Sequence, residues 1–215
     1  MQSPYRKLYL SVFSPMFIGI DFDNTIIQYD DLFYRHALSK KLIPETLARD
    51  KLAVRDYLRS QNIENEWTVI QGEVYGSRIM DAKPFCSVVE VLTELKNLGI
   101  PLRIISHKTR FPYLGPKVDL HDSALKWLKS HGFLSPSGLG LSEDDVFFEL
   151  KIENKIDRII SCGCTHFIDD LPEVLQLLPN RISKVLFQAK HIKEDQHNWL
   201  ILNAWKQLPA VLELR

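Results

Sequence analysis

An almost unbroken apolar run, Met16-Phe17-Ile18-Gly19-Ile20, stops abruptly at Asp21-Phe22-Asp23-Asn24-Thr25. A run without polar alternation suits a strand covered on both faces, and such strands belong to parallel sheets flanked by helices. The rest of the chain repeats that theme. Val88, Val91, Leu92, Leu95 and Leu98 make one apolar helix face after Ser87, which has capping-box spacing to Glu90, and Gly99 can end the helix. Leu102-Arg103-Ile104-Ile105 then runs into Ser106-His107-Lys108-Thr109. A helix over 122–131, a strand over 146–148, a helix over 153–161, a strand over 166–168 ending in Asp169-Asp170, and a helix over 172–178 follow. A strand over 184–188 and a final helix over 198–207 complete the pattern. Alternation of this kind predicts an α/β fold, a Rossmann-like three-layer core with a mostly parallel sheet.

About sixty residues separate Thr25 from Ser87, far more than a strand needs to reach its following helix. A folded insert is expected there. Leu47, Val54 and Leu58 share a face of a helix expected over 45–60, started by Pro44, and 31–42 reads as another. The expected division is a catalytic core of residues 1–27 and 83–215 with a helical cap insert of residues 28–82.

Composition bounds the partners. The chain has 215 residues, 45% of them apolar, with 27 basic and 27 acidic side chains. That length buries roughly 70% of the unfolded surface, so no disulfide or structural metal is needed to sustain a core. Balanced charge gives no global pull toward nucleic acid or anionic membrane, so neither is an expected partner and any anion site is local. Three cysteines are an odd and sparse set that fits a reducing compartment, and the chain is expected to be cytoplasmic. The stretch 5–17 is interrupted by Pro15 and lacks a small-residue cleavage site, so no leader is expected, and no window suits a membrane span. Oligomeric state stays open.

Three expected strands end in acids or a hydroxyl: Asp21 and Asp23, Ser106, then Asp169 and Asp170. In a parallel sheet those ends share one edge, where ligands of such folds bind. Either acidic pair alone reads as an ordinary turn. Four carboxylates in one crevice repel unless a cation sits among them, and an oxygen-only shell suits Mg2+.

Asp21-Phe22-Asp23-Asn24-Thr25, Ser106, a lysine near 155 and Asp169-Asp170 resemble, in type and order, the four motifs of the haloacid dehalogenase superfamily. Response-regulator receivers carry a similar kit in another order. The resemblance covers residues 16–27 and 84–190, with the insert where that superfamily places a first type of cap. It implies a phosphatase that hydrolyses a small phosphate monoester through an aspartyl-phosphate, with Asp21 as nucleophile and Asp23 as general acid and base. Ser106 and the backbone N–H of His107 would grip a phosphoryl oxygen, and the lysine would neutralise shared charge. Lys155 is preferred over Lys151, from the sequence around it. Asp169 and Asp170 would complete a Mg2+ site with Asp21 and the Asp23 carbonyl. Asn24 stands where glycine is frequent and tolerates the positive φ of a sharp turn.

Phosphotransferase and phosphonatase chemistry of the same superfamily are the alternatives, the latter needing a cap lysine for which Lys40, Lys41 and Lys51 are available. A non-catalytic phospho-ligand or partner-binding protein is a third. Arg35, His36, Tyr75 and Arg78 could reach a leaving group from the insert, or form a solvated helix face or a contact between cap and core. His107, Lys108 and Arg110 could meet a second anion or line a surface loop. Cys162, Cys164 and His166 are too few and too crowded for a structural zinc site and read as packing.

Overall fold

The computed structural model describes residues 16–189 and 198–214, so the leader reading at 5–17 falls mostly outside the described residues. From the first strand, β1 (Ile18–Ile20), the chain turns through Asp21–Thr25 into a two-residue strand, β2 (Ile27–Gln28). Three helices follow: α1 (Asp30–Ser39), α2 (Lys51–Ser60) and α3 (Glu64–Tyr75). A second short strand, β3 (Lys83–Pro84), leads into α4 (Val88–Asn97) and β4 (Leu102–His107). Then come α5 (Leu120–Ser130), β5 (Val146–Glu149), α6 (Ile152–Ser161), β6 (His166–Asp169), α7 (Pro172–Leu177), β7 (Ser183–Phe187), β8 (Leu200–Leu202) and α8 (Leu208–Val211).

Six strands form one parallel sheet in the order β5-β4-β1-β6-β7-β8, which puts the Asp21 strand at its centre. Residues alternate between faces, as a period of two requires. Ile104 and Ile168 pack with Leu92 and Leu95 of α4 and Trp127 of α5. Ile105, Phe167 and Leu186 pack on the other side with Ile159 of α6 and Val174 and Leu175 of α7. Helices therefore cover both faces, as the apolar runs predict. Gly19 pairs in register with Phe167, and a Cβ there would lie 2.6 Å from that ring and 2.9 Å from Cys164 Sγ, so no larger residue fits the centre of β1.

The insert is helical, and its ends meet. β2 and β3 pair antiparallel, Ile27 opposite Pro84, so the chain leaves the core and returns beside itself. Two indoles pin this neck: Trp205 Nε1 donates to the Thr25 carbonyl at 3.0 Å and Trp127 Nε1 to the Ala82 carbonyl at 2.9 Å. Within the insert Phe33 of α1, Val54 and Leu58 of α2, and Trp67, Ile70 and Val74 of α3 are buried together.

Three local expectations are corrected, and a third helix joins the two expected in the insert. The helix expected over 45–60 begins at Lys51, because the Asp50 carboxylate accepts from the N–H groups of Leu52 and Ala53 and caps it there, leaving Pro44 in the preceding loop. α3 was not anticipated: its stripe of Trp67, Ile70 and Val74 is broken by Gly72, which lies against Pro112. Ser87 makes no side-chain cap and stands at φ 63°, so the spacing to Glu90 is not a capping box. The final helix over 198–207 is instead β8, the edge strand, followed by a 3-10 turn over Trp205–Gln207. Leu200-Ile201-Leu202 is a short continuous apolar run, which periodicity alone assigns to neither element.

Among the described residues no helix is long and apolar enough to cross a membrane.

Candidate active site

The register assembles the site. Ile20 aligns with Ile104 on one side and Ile168 on the other, so Asp21 and Asp169 emerge side by side one residue further on, with Ser106 two residues beyond Ile104 on β4. Asp21 is held in line by its N–H, which donates to the Ile168 carbonyl at 2.8 Å. Asn24 takes φ 58°, in keeping with the turn expected of it.

Lys155 comes from α6, one turn before the buried Ile159 and on the same inward face. The residue is 1% exposed, and its ammonium lies 2.6 Å from both Asp21 Oδ1 and Asp169 Oδ2. Burial alone would weaken its hold on that proton, but the carboxylates of Asp21 and Asp169 outweigh it and hold the lysine above its ordinary range. Lys151, at the N-cap of the same helix, is exposed.

Asp21, Asp169 and Asp170 each offer an oxygen within 4.8 Å of the others. Burial drives the Asp169 carboxyl up, and Lys155 only partly offsets this. Burial together with repulsion from Asp21 and Asp169 drives Asp170 up as well. Three carboxylates and one ammonium leave a formal charge of −2, and the donors are all hard oxygens. That set fits a small divalent cation. The Asp23 carboxylate lies outside this group.

Ser106 is 1% exposed, and its Oγ has no hydrogen-bond partner among the described residues. Buried hydroxyls are normally satisfied, so this one fits a ligand oxygen. The His107 side chain points the other way, as strand alternation dictates, and meets the Leu150 carbonyl at 3.3 Å. Only its backbone N–H remains relevant to a phosphoryl group.

Asp23 has its own surroundings. Lys108 Nζ donates to its Oδ1 at 3.0 Å and Oδ2 at 2.8 Å, and the Tyr29 hydroxyl donates to Oδ1 at 2.7 Å. Burial, reinforced by Asp23, holds the Tyr29 hydroxyl protonated well above the usual tyrosine range. Lys108 is 4% exposed, so the surface-loop reading of that residue fails. Arg110, by contrast, is exposed and pairs with Asp119.

From the insert, Tyr75 reaches this region, with its ring 4.9 Å from both the Tyr29 ring and Lys108 Nζ. Lys51, one of three insert lysines that sequence left unassigned, lies over the Tyr75 and Phe33 rings. Burial would lower its ammonium, but the Tyr75 hydroxyl and the fields of Asp23 and Asp170 raise it overall. Arg35 pairs with Asp31, His36 with Glu73 and Arg78 with Asp81. Cys164 is buried among the apolar side chains beneath α6 and α7, and burial pushes its thiol up to about 12.

In fold the chain is similar to solved structures of haloacid dehalogenase superfamily hydrolases. A haloacid dehalogenase family hydrolase from Deinococcus radiodurans, solved with bound phosphate and sodium, matches with TM-score 0.58 and 12% identity, over 92% of this chain and 95% of that one. Protein Tyrosine Kinase A of Mycobacterium tuberculosis matches with TM-score 0.59 and 14% identity, over 94% and 100%. In sequence the chain is similar to a Bacillus cereus protein named "Putative nucleotidase", 27% identical over 205 residues, 92% of this chain and 98% of the other. No protein-family model matches.

Proposed function

We propose that this chain is a Mg2+-dependent phosphatase that hydrolyses a small phosphate monoester through an aspartyl-phosphate on Asp21. The observation that carries the reading is Lys155 shared at 2.6 Å between Asp21 and Asp169, beside Asp170 and the partnerless Ser106 hydroxyl.

Lys155 holds Asp21 Oδ1, and the Asp21 carboxylate is the attacking group. It forms a bond to phosphorus as the ester P–O bond breaks, and the leaving oxygen takes a proton from Asp23. The Ser106 hydroxyl and the His107 N–H hold phosphoryl oxygens, and the Lys155 ammonium offsets charge shared by phosphate and nucleophile. Asp23 then takes a proton from a water that attacks the aspartyl-phosphate, which releases inorganic phosphate and restores Asp21. Asp21, Asp169, Asp170 and the Asp23 carbonyl would hold a Mg2+ ion, which when bound would further neutralise phosphoryl charge. The insert beside Asp23 limits bulk water and large substrates, which favours a metabolite or nucleotide. The name of the Bacillus cereus relative puts nucleoside monophosphates first among esters to test.

The test is phosphate release from nucleoside monophosphates, sugar phosphates and other small esters, with and without Mg2+, for the wild type and Asp21→Asn. Turnover that needs both Mg2+ and Asp21, with a loss of about 10³-fold or more in the variant, is the expected result. Turnover that survives Asp21→Asn would exclude the aspartyl-phosphate route.

A further inference from the structure

Lys108 and Tyr29 surround Asp23 with more donors than an exposed turn carboxylate attracts. Asp23 Oδ1 accepts two hydrogen bonds, from Tyr29 at 2.7 Å and Lys108 at 3.0 Å, whereas Oδ2 accepts one, from Lys108 at 2.8 Å. A carboxylate oxygen has two lone-pair sites. Oδ1 is therefore saturated and Oδ2 keeps one site open.

The donors are themselves fixed. The Lys108 N–H donates to the Glu149 carbonyl at 2.9 Å, and a ring nitrogen of His121 lies 2.8 Å from the Lys108 carbonyl, tying the backbone to β5 on one side and α5 on the other. Its ammonium lies over the Phe22 and Tyr75 rings at 5.4 and 4.9 Å. Tyr29 is fully buried, its ring against Phe33 and Tyr75. Donors held this way are preorganised and set the plane of the carboxyl group.

We infer that Lys108 and Tyr29 are positioning residues for the proton-transfer step, which saturate Asp23 Oδ1 so that Oδ2 alone carries the proton exchanged with substrate. The inference rests on the phosphatase reading above. As Asp21 attacks, the ester P–O bond breaks, its electron pair stays on the leaving oxygen, and that oxygen takes the proton from Asp23 Oδ2. The carboxylate left behind faces the Lys108 ammonium. Lys108 touches neither phosphate nor nucleophile in this scheme, and one partner comes from the core, the other from the insert.

A leaving group that needs no proton separates positioning from mere support. kcat/KM ends at the first irreversible step, so it reports transfer to Asp21. Lys108→Met is expected to lower kcat/KM for the best alkyl ester in the panel by about 100-fold, while 4-nitrophenyl phosphate changes by less than about threefold. Tyr29→Phe, which removes one hydroxyl and keeps the buried ring, is expected to act in the same direction by about tenfold. In an Asp23→Asn background the further change Lys108→Met is expected to alter alkyl ester turnover by less than about threefold, because the positioned group is gone.

Equal losses on both esters, for Lys108→Met and Tyr29→Phe alike, would overturn the proposal, as would a full Lys108 effect in the Asp23→Asn background. Absence of any Asp21-dependent turnover in the wild type would remove the phosphatase reading and this inference with it. Uniform loss in an active enzyme removes only the inference. If Lys108→Met does not fold, Tyr29→Phe alone decides.

Discussion

Two lysine–aspartate arrangements meet at one edge of the sheet, and their charge sums differ. The deeper one sets Lys155 against Asp21 and Asp169, with Asp170 alongside, and carries a formal −2. The shallower one sets Lys108 against Asp23 and sums to zero. Burial differs in the same sense: the Asp169 side chain is fully buried, whereas that of Asp23 is 22% exposed. A buried deficit of that size, lined by hard oxygens, fits a divalent cation. The balanced pair nearer solvent carries no such deficit.

The largest test removes the deeper lysine. Lys155→Met leaves two buried carboxylates without their counterion, and removal of one partner from such a pair costs about 3–5 kcal/mol. At about 2–4 °C per kcal/mol for a chain this size, a thermal scan without metal should show the midpoint fall by about 6–20 °C. Turnover should vanish. Lys151→Ala, on the exposed N-cap of the same helix, should stay within about 0.5 kcal/mol and keep most activity. Similar behaviour of the two variants would erase the distinction between them.

A second test titrates metal. Mg2+ at 100 times its Kd should stabilise the wild type by about 2.7 kcal/mol in urea unfolding. Asp170→Asn should lose most of that increment, and Lys108→Met should keep it. Loss of the increment in Lys108→Met would mean that the two arrangements act as one.

The smallest effect belongs to a third group, on the insert, where Glu73 pairs with His36 at 2.7 Å and Lys40 at 2.9 Å. Burial would raise the Glu73 carboxyl, but hydrogen bonds from Lys40 and His36 outweigh it and hold it below its usual range. A depressed carboxyl stabilises the fold above its unfolded pKa, and that contribution fades as pH falls through the lower folded value. The stability difference between wild type and Glu73→Gln should be about 0.5–1 kcal/mol at pH 7 and should disappear in strong acid. A difference that grows toward low pH would reverse the sign.

Where the chain declares its structure depends on how local the cause is. β1, β4, β6 and β7 are legible because burial on both faces writes continuous apolar runs, and their polar ends mark the site edge. Asp21, Ser106 and Asp169 follow from topology once the sheet is parallel. The start of α2 is hidden because Pro44, six residues before Asp50, competes as a signal with the Asp50 cap that sets it. Contacts across long separations are harder still. Nothing near Lys108 in sequence says that it pairs with Asp23, 85 positions away, rather than with solvent. Its clearest hint is its place two residues after Ser106, at a strand end that the sheet order carries beside β1.

The neck at Ile27 and Pro84 has a consequence for how a protein of this kind can be altered. Departure and return lie side by side and are pinned by Trp205 and Trp127, so the helical insert is a single contiguous cassette. Exchange of that one stretch of coding sequence replaces Lys51 and Tyr75 beside Lys108 and leaves Asp21, Ser106, Lys155, Asp169 and Asp170 in place. The cassette is not wholly free, since Tyr29 lies within it and touches Asp23. A graft must bring its own hydroxyl to that position, which ties any new specificity to one inherited residue.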